Sequence, residues 1–235
     1  MIHPGSIVLA TAMVLAGYLA TICFTPPNAS PDRKERHKID RTSSMGDFVP
    51  LILRQIVIVA VAYHAALAIL SELDTPSLTA QACPRPNNPN PALFSWTSTS
   101  VTALLLVLVG AWVRLSAFGG LGPNFTFHLA RPSRLVTTGI YRWVQHPSYT
   151  GHLAVIAGCT LLFMRWDGAS ACWIEESILV GLDGWGLALW ASFMGFSVLM
   201  IRARVKDEED MLKQLFGKEW EDWNRSTKRF IPGLF

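Results

Sequence analysis

Apolar residues gather along this chain in five long stretches, separated by polar segments that carry most of the prolines. The stretches cover Ile7 to Phe24, Val49 to Leu70, about Phe94 to Phe118, Tyr149 to Met164, and about Ile178 to Ile201. A run of roughly 17 to 25 apolar residues crosses a bilayer core as a helix, because a helix satisfies its backbone groups without water. The pattern therefore predicts an all-α integral membrane protein of about five transmembrane helices, the fourth being the shortest. No Lys or Arg precedes the first stretch, and at about 18 residues it exceeds an ordinary signal-peptide core, so it reads as a retained span.

Charge orients these spans. Lys and Arg collect in cytosolic segments. The first loop holds Arg33, Lys34, Arg36, Lys38 and Arg41; the third holds Arg131, Arg134 and Arg142, with Arg114 placed to snorkel from its helix end. The tail after Ile201 is the most basic segment of all. By contrast, the second loop has only Arg85 among five prolines and reads as irregular, and the fourth has only Arg165 beside it. The alternation predicts a lumenal N-terminus and a cytosolic C-terminus, with the third loop and the tail meeting on one cytosolic face. It also places Cys83 and Cys172 in lumenal loops, where an oxidising compartment permits a disulfide. The sequons at Asn28, Asn124 and Asn224 fall in cytosolic segments and are predicted to stay unglycosylated.

Composition agrees with the bilayer: 51% of the 235 residues are hydrophobic and only 16% charged, against about 25% charged in soluble domains. Mean hydropathy is +0.31. The net charge of +3 is spread over loops rather than along one stripe, which argues against nucleic-acid binding. Four dispersed cysteines make no C-x-x-C pair or Cys/His cluster, so no structural metal is expected. Neither repeats nor low-complexity tracts break the chain. It reads as one structural domain, with 1–123 supplying spans one to three and 124–235 the chemistry.

Two segments carry that chemistry. The first, Leu135 to Gly151, contains G-x-Y-x-x-x-x-H-P-S-Y-x-G just before the fourth span. His146-Pro147 marks a helix start, since the residue before proline avoids helical geometry while proline fits the first turn. Backbone donors at such a start favour an anion, and Tyr141, Trp143 and Tyr149 are suited to a planar or cationic ligand. Singly, these residues could equally belong to an interfacial aromatic belt. The second segment opens the tail with R-x-x-x-E-E, Arg204 to Glu209, on a helix continuing from the fifth span. Arg204 and Glu208 stand four apart on one face. Further on, Met211, Leu212, Leu215, Phe216, Trp220 and Trp223 line an apolar stripe. That stripe fits an amphipathic helix on the headgroups, the roof of a site, or both.

Together H-P-S-Y-x-G, preceded by L-V-T-x-G-x-Y and followed by R-x-x-x-E-E, L-F-G-x-E-W and a terminal I-P, resembles the isoprenylcysteine carboxyl methyltransferases over about Asn124 to Pro232. The resemblance implies S-adenosyl-L-methionine as methyl donor in the endoplasmic reticulum membrane. The implied acceptor is the prenylated C-terminal cysteine of CaaX-type proteins or a small prenylcysteine. Carried over, Leu135, Val136, Tyr141, His146, Pro147, Ser148 and Tyr149 contact the donor, Glu208 holds its amino group, and Arg204 faces the substrate carboxylate. Gln145 stands where the family usually has arginine, and Trp220 where it usually has tyrosine or another aromatic. Two rival readings share features with this one. A phospholipid amine methyltransferase would need a neutral amine nucleophile, which Arg204 does not help. A membrane sterol reductase would need a nicotinamide, for which Glu208-Glu209 fits less well.

Overall fold

The computed structural model describes residues 3–231 except Ser44, Met45, Asp47 and Asp74, so Pro232 of the terminal I-P lies outside the described residues. Among the described residues eight α-helices run in order: α1 (Pro4–Cys23), α2 (Phe48–Leu70), α3 (Pro76–Ala82), α4 (Ser98–Leu121), α5 (Pro147–Leu162), α6 (Glu176–Leu182), α7 (Gly186–Phe216) and α8 (Lys218–Ser226). Short 3₁₀ turns link several of them, and the described residues form no strand. The chain is an all-α integral membrane protein: α1, α2, α4 with its flanking turns, and α7 are each long and apolar enough to cross a bilayer.

The helices depart from the hydropathy pattern in three places. α5 coincides with the fourth apolar stretch but has 16 residues, short of a full crossing. The fifth stretch is not one helix. It breaks after α6 at Asp183, whose carboxylate accepts the Gly184 N–H at 3.0 Å, and Gly184 takes φ +78°, a conformation glycine adopts freely. α7 then runs on without interruption to Phe216, carrying Arg204 and Glu208 as the spacing predicted. The second loop is not irregular throughout: Pro76 occupies the first turn of α3, where its missing N–H costs nothing. Gly217, at φ +50°, ends α7 and starts α8, whose Trp220 is buried while Glu219, Asp222 and Arg225 are exposed.

These helices form two compact units, neither continuous in sequence. The first comprises Met1–Thr21, Arg54–Leu108 and Val155–Met194. Within it a Cβ on Gly158 would lie 2.5 Å from the Ala103 carbonyl oxygen, so α5 approaches the α4 backbone only because that residue is glycine. Cys83 and Cys172 form a disulfide, with Cα atoms 4.7 Å apart, packed against Leu67 and Ala169. The second unit comprises Ile22–Leu53, Val109–Ala154 and Gly195–Phe235. Here Gly151, the last residue of the histidine motif, plays the same part in packing, since its Cβ would meet the Gly110 carbonyl oxygen at 2.5 Å.

Candidate active site

Every candidate site residue lies in the second unit. His146-Pro147 opens α5 as predicted, and its approach is held by the tail: the Gln145 N–H donates to the Lys228 carbonyl and the His146 N–H to the Arg229 carbonyl, both at 2.8 Å. The Gln145 side chain donates to Thr227 Oγ1 at 2.9 Å and to the carbonyls of Asn224 and Thr227. Gln145 therefore braces the loop as a neutral donor where the resembled family carries a charged one.

α7 meets this segment through Arg204, Glu208 and Glu209. Tyr149 Oη donates to Glu208 Oε2 at 2.8 Å and accepts from Arg204 Nε at 3.3 Å, so one phenol links the two residues that the i, i+4 spacing placed together. His146 Nε2 is bonded to Glu209 Oε1 at 3.2 Å, and Arg229 donates to the other oxygen of Glu209 at 2.9 Å. The buried Asp207 accepts the Arg41 backbone N–H at 3.0 Å.

Arg204 is ion-paired within the chain. Its carboxylate partner is Asp40, from the first basic loop, with Nη1 and Oδ2 2.5 Å apart and both side chains at least nine-tenths buried. Nη2 donates to the Phe127 carbonyl at 2.9 Å, and Nη1 also reaches Thr42 Oγ1 at 3.4 Å. Among the described residues these contacts and the Tyr149 bond engage all but one of the guanidinium's five N–H groups. Burial pushes the Asp40 carboxyl up, but the Arg204 bond and charge, the Leu129 N–H and Thr42 together outweigh it and hold Asp40 below its ordinary range. Burial, and then the charge of Glu208, push the Tyr141 phenol up, which keeps it a neutral donor to the Ala117 carbonyl.

Arg114 does not snorkel. It is 5% exposed, donating from Nε to the Cys23 carbonyl at 2.8 Å and from Nη1 to Ser148 O and Oγ at 3.1 and 2.9 Å. Its guanidinium lies 5.0 Å from the centre of the Phe118 ring.

These groups surround a cavity of about 260 Å³. Leu135, Val136, Tyr141, His146, Ser148, Tyr149, Arg204 and Glu208 all line it; of the sequence-derived site residues only Pro147 stays behind the wall, where it shapes the helix start. Tyr141 packs with Val136 and Ala117, and Gly120 leaves room for its ring, since a Cβ there would lie 3.1 Å from Tyr141. Gly120 thus serves packing, whereas Gly122 at φ +54° makes the turn.

The wall also contains residues that sequence reasoning passed over: Thr42, Arg114, Phe127, His152 and Met200. Arg114 and His152 carried a legible signal, being ionisable residues inside apolar helices. Asp40 carried none, lying among the charges of an ordinary basic loop. Gln145 Oε1 and His152 Nδ1 are buried with no hydrogen-bond partner among the described residues, and both residues line the cavity, so the wall has polar atoms suited to a polar, partly aromatic ligand. Among the described residues no group of three His, Cys, Asp or Glu could hold a metal ion.

The sequence model of the phospholipid methyltransferase family matches residues 98–180. The chain is similar to the protein-S-isoprenylcysteine O-methyltransferase of Dictyostelium discoideum, 32% identical over 149 residues covering 61% of this chain and 53% of that protein. It is likewise similar to the Homo sapiens protein of that name, 28% identical over 60% of this chain and 44% of that protein. For the one from Schizosaccharomyces pombe, identity is 30% over 60% and 51%. The chain therefore spans about half the length of these curated relatives.

Proposed function

We propose that this protein transfers a methyl group from S-adenosyl-L-methionine to the carboxylate of a prenylated C-terminal cysteine, forming the methyl ester. The observation that carries the reading is the Arg204–Tyr149–Glu208 constellation on one cavity wall beside His146. The likeness to proteins named protein-S-isoprenylcysteine O-methyltransferase supports it. The acceptor is a prenylated CaaX-type protein or a small prenylcysteine. The setting is the endoplasmic reticulum membrane, with a lumenal N-terminus and a cytosolic C-terminus. Residues 124–235 supply most of the site, helped by Asp40 and Arg114.

The donor, when bound, supplies an electrophilic methyl group on a sulfonium. Glu208 would take its ammonium, and the walls formed by Leu135, Val136, Tyr141, His146, Ser148 and Tyr149 would hold the rest, with Pro147 fixing the start of α5. A prenylcysteine carboxylate is ionised at neutral pH, so no general base is needed. What the reaction needs is orientation. Arg204 provides it through its remaining N–H, and Asp40 balances its charge, so the acceptor anion is positioned without being over-stabilised in the ground state. A cavity with little water helps, because the reacting charges cancel during transfer.

A tritium-methyl transfer assay with purified protein over N-acetyl-farnesylcysteine, prenylated peptides and phospholipids tests the proposal. Formation of the prenylcysteine methyl ester is expected; an Arg204→Ala protein working at the parental rate would remove Arg204 from its role. The match to the phospholipid methyltransferase family favours lipid amine methylation as the second reading. Labelled phosphatidylethanolamine with no labelled prenylcysteine would select it.

A further inference from the structure

Resting on that reading, we infer that Arg114 is a carboxylate receptor, and that the group it receives is the carboxylate at the amino-acid end of the methyl donor. The ionic partners around the cavity leave Arg114 as the buried guanidinium without a carboxylate among the described residues; Arg134, which also lines the cavity unpaired, is exposed. Arg204 has Asp40, Glu209 has His146 and Arg229, and Asp207 has Arg41, through a backbone N–H at 3.0 Å and a guanidinium at 3.6 Å. Arg114 is more deeply buried than Arg204, yet it bonds only to neutral oxygens, those of Cys23 and Ser148. Its Nη2 makes no bond to any described residue, although Arg114 lines the cavity.

A buried cation held by neutral acceptors alone is costly. The Cys23 carbonyl, at the negative end of α1, offsets part of that cost. Ser148 does not, because it sits in the first turn of α5, where the helix presents positive charge. Guanidinium and helix start therefore attract an anion at the same place.

The position of that place selects the donor. Ser148 holds Arg114 and the next residue, Tyr149, holds Glu208, so a cation and a carboxylate on one cavity wall are set by consecutive residues of α5. That arrangement matches an α-amino acid zwitterion, with its ammonium toward Glu208 and its carboxylate toward Arg114. His152, one turn along α5 from Ser148, adds a buried Nδ1 without a partner to the same wall.

Calorimetric binding to the purified full chain and to its Arg114→Gln and Arg114→Lys variants tests this. S-adenosylhomocysteine and 5′-methylthioadenosine form the first pair, since the latter lacks the amino-acid end and reports whether the nucleoside pocket is folded. N-acetyl-farnesylcysteine and its methyl ester form the second. We expect Arg114→Gln to weaken S-adenosylhomocysteine by about 10- to 100-fold, the range of a charge-assisted hydrogen bond. Methylthioadenosine should change by less than about twofold, and Arg114→Lys should recover part of the loss. Selective weakening of N-acetyl-farnesylcysteine, with its ester and S-adenosylhomocysteine unchanged, would transfer the carboxylate to the acceptor and overturn the donor assignment. Equal loss of both adenosine ligands, or no loss of either, overturns the receptor itself. Parental protein that binds neither adenosine ligand refutes the methyltransferase reading, an outcome distinct from parental protein that binds both and is indifferent to Arg114.

Discussion

The two units of this protein solve the problem of burial in opposite ways. In the first, the buried polar residues among those described are His64 and Ser100, both neutral in their contacts; His64 bonds the Leu93 carbonyl at 2.9 Å and stacks on Phe94. Its outlying segments are secured by a covalent link, Cys83–Cys172. The second unit buries Arg114, Arg204, Asp207 and Glu209 together with His128, Gln145 and His146. Ion pairs of this depth seldom add net stability over apolar residues of the same shape, because desolvation consumes most of the attraction. Charges retained at such a cost point to chemistry, and the cavity lies in the unit that retains them.

The strongest way to break that comparison is to separate charge from stability at Arg204. Arg204→Ala leaves the Asp40 carboxylate buried alone and should cost about 3 to 5 kcal/mol, read from unfolding in micelles, with esterification reduced by about 100-fold or more. Asp40→Leu with Arg204→Met should return most of the stability and none of the activity. A double variant that regained transfer would show that the pair serves the fold alone.

The first unit should respond in the reverse sense. Removing the disulfide with Cys83→Ser and Cys172→Ser opens a loop of 89 residues, worth about 4.6 kcal/mol in the chain-entropy account. The melting temperature should fall while the Kd for S-adenosylhomocysteine stays within about twofold. A larger change in binding would deny that the site is independent of the link.

Acid sharpens the contrast further. Because the folded-state pKa of Asp40 is depressed, its contribution is complete above the ordinary value of 3.8 and is lost as pH falls through the lower, folded-state value. Unfolding measured between neutral pH and pH 2 should steepen below about pH 4, and Asp40→Asn should flatten that limb. An unchanged acid limb in Asp40→Asn would assign the loss to other carboxylates.

The smallest effect belongs to an ion pair of the first unit. Arg165 donates to both carboxylate oxygens of Asp167, at 2.7 and 2.5 Å, yet the two side chains are 36% and 27% exposed. Asp167→Asn should cost under about 1 kcal/mol despite the two-pronged geometry. A loss rivalling that of Arg204→Ala would mean that depth of burial does not separate the two pairs.

Much of this was legible without coordinates. Long apolar runs must become helices in a bilayer, so α1, α2 and α4 follow from composition within a few residues. His-Pro dictates a helix start through backbone sterics, and the four-residue spacing of Arg204 and Glu208 survives because α7 is continuous. The break at Gly184 was missed because hydropathy does not register a single residue with positive φ inside an apolar run. Gly151 looked like part of a ligand motif, although only the approach of Gly110 reveals its part in packing.

Sequence by itself therefore determined the helical, membrane-spanning class and the segments that hold the chemistry, since both depend on solvent and on local backbone geometry. Tertiary structure alone decided which charges neutralise one another. Asp40 reaches Arg204 across 164 positions, and Arg114 ends beside Ser148 without a carboxylate. Such pairings depend on distance and desolvation between segments far apart in the chain, and no periodicity or motif encodes either.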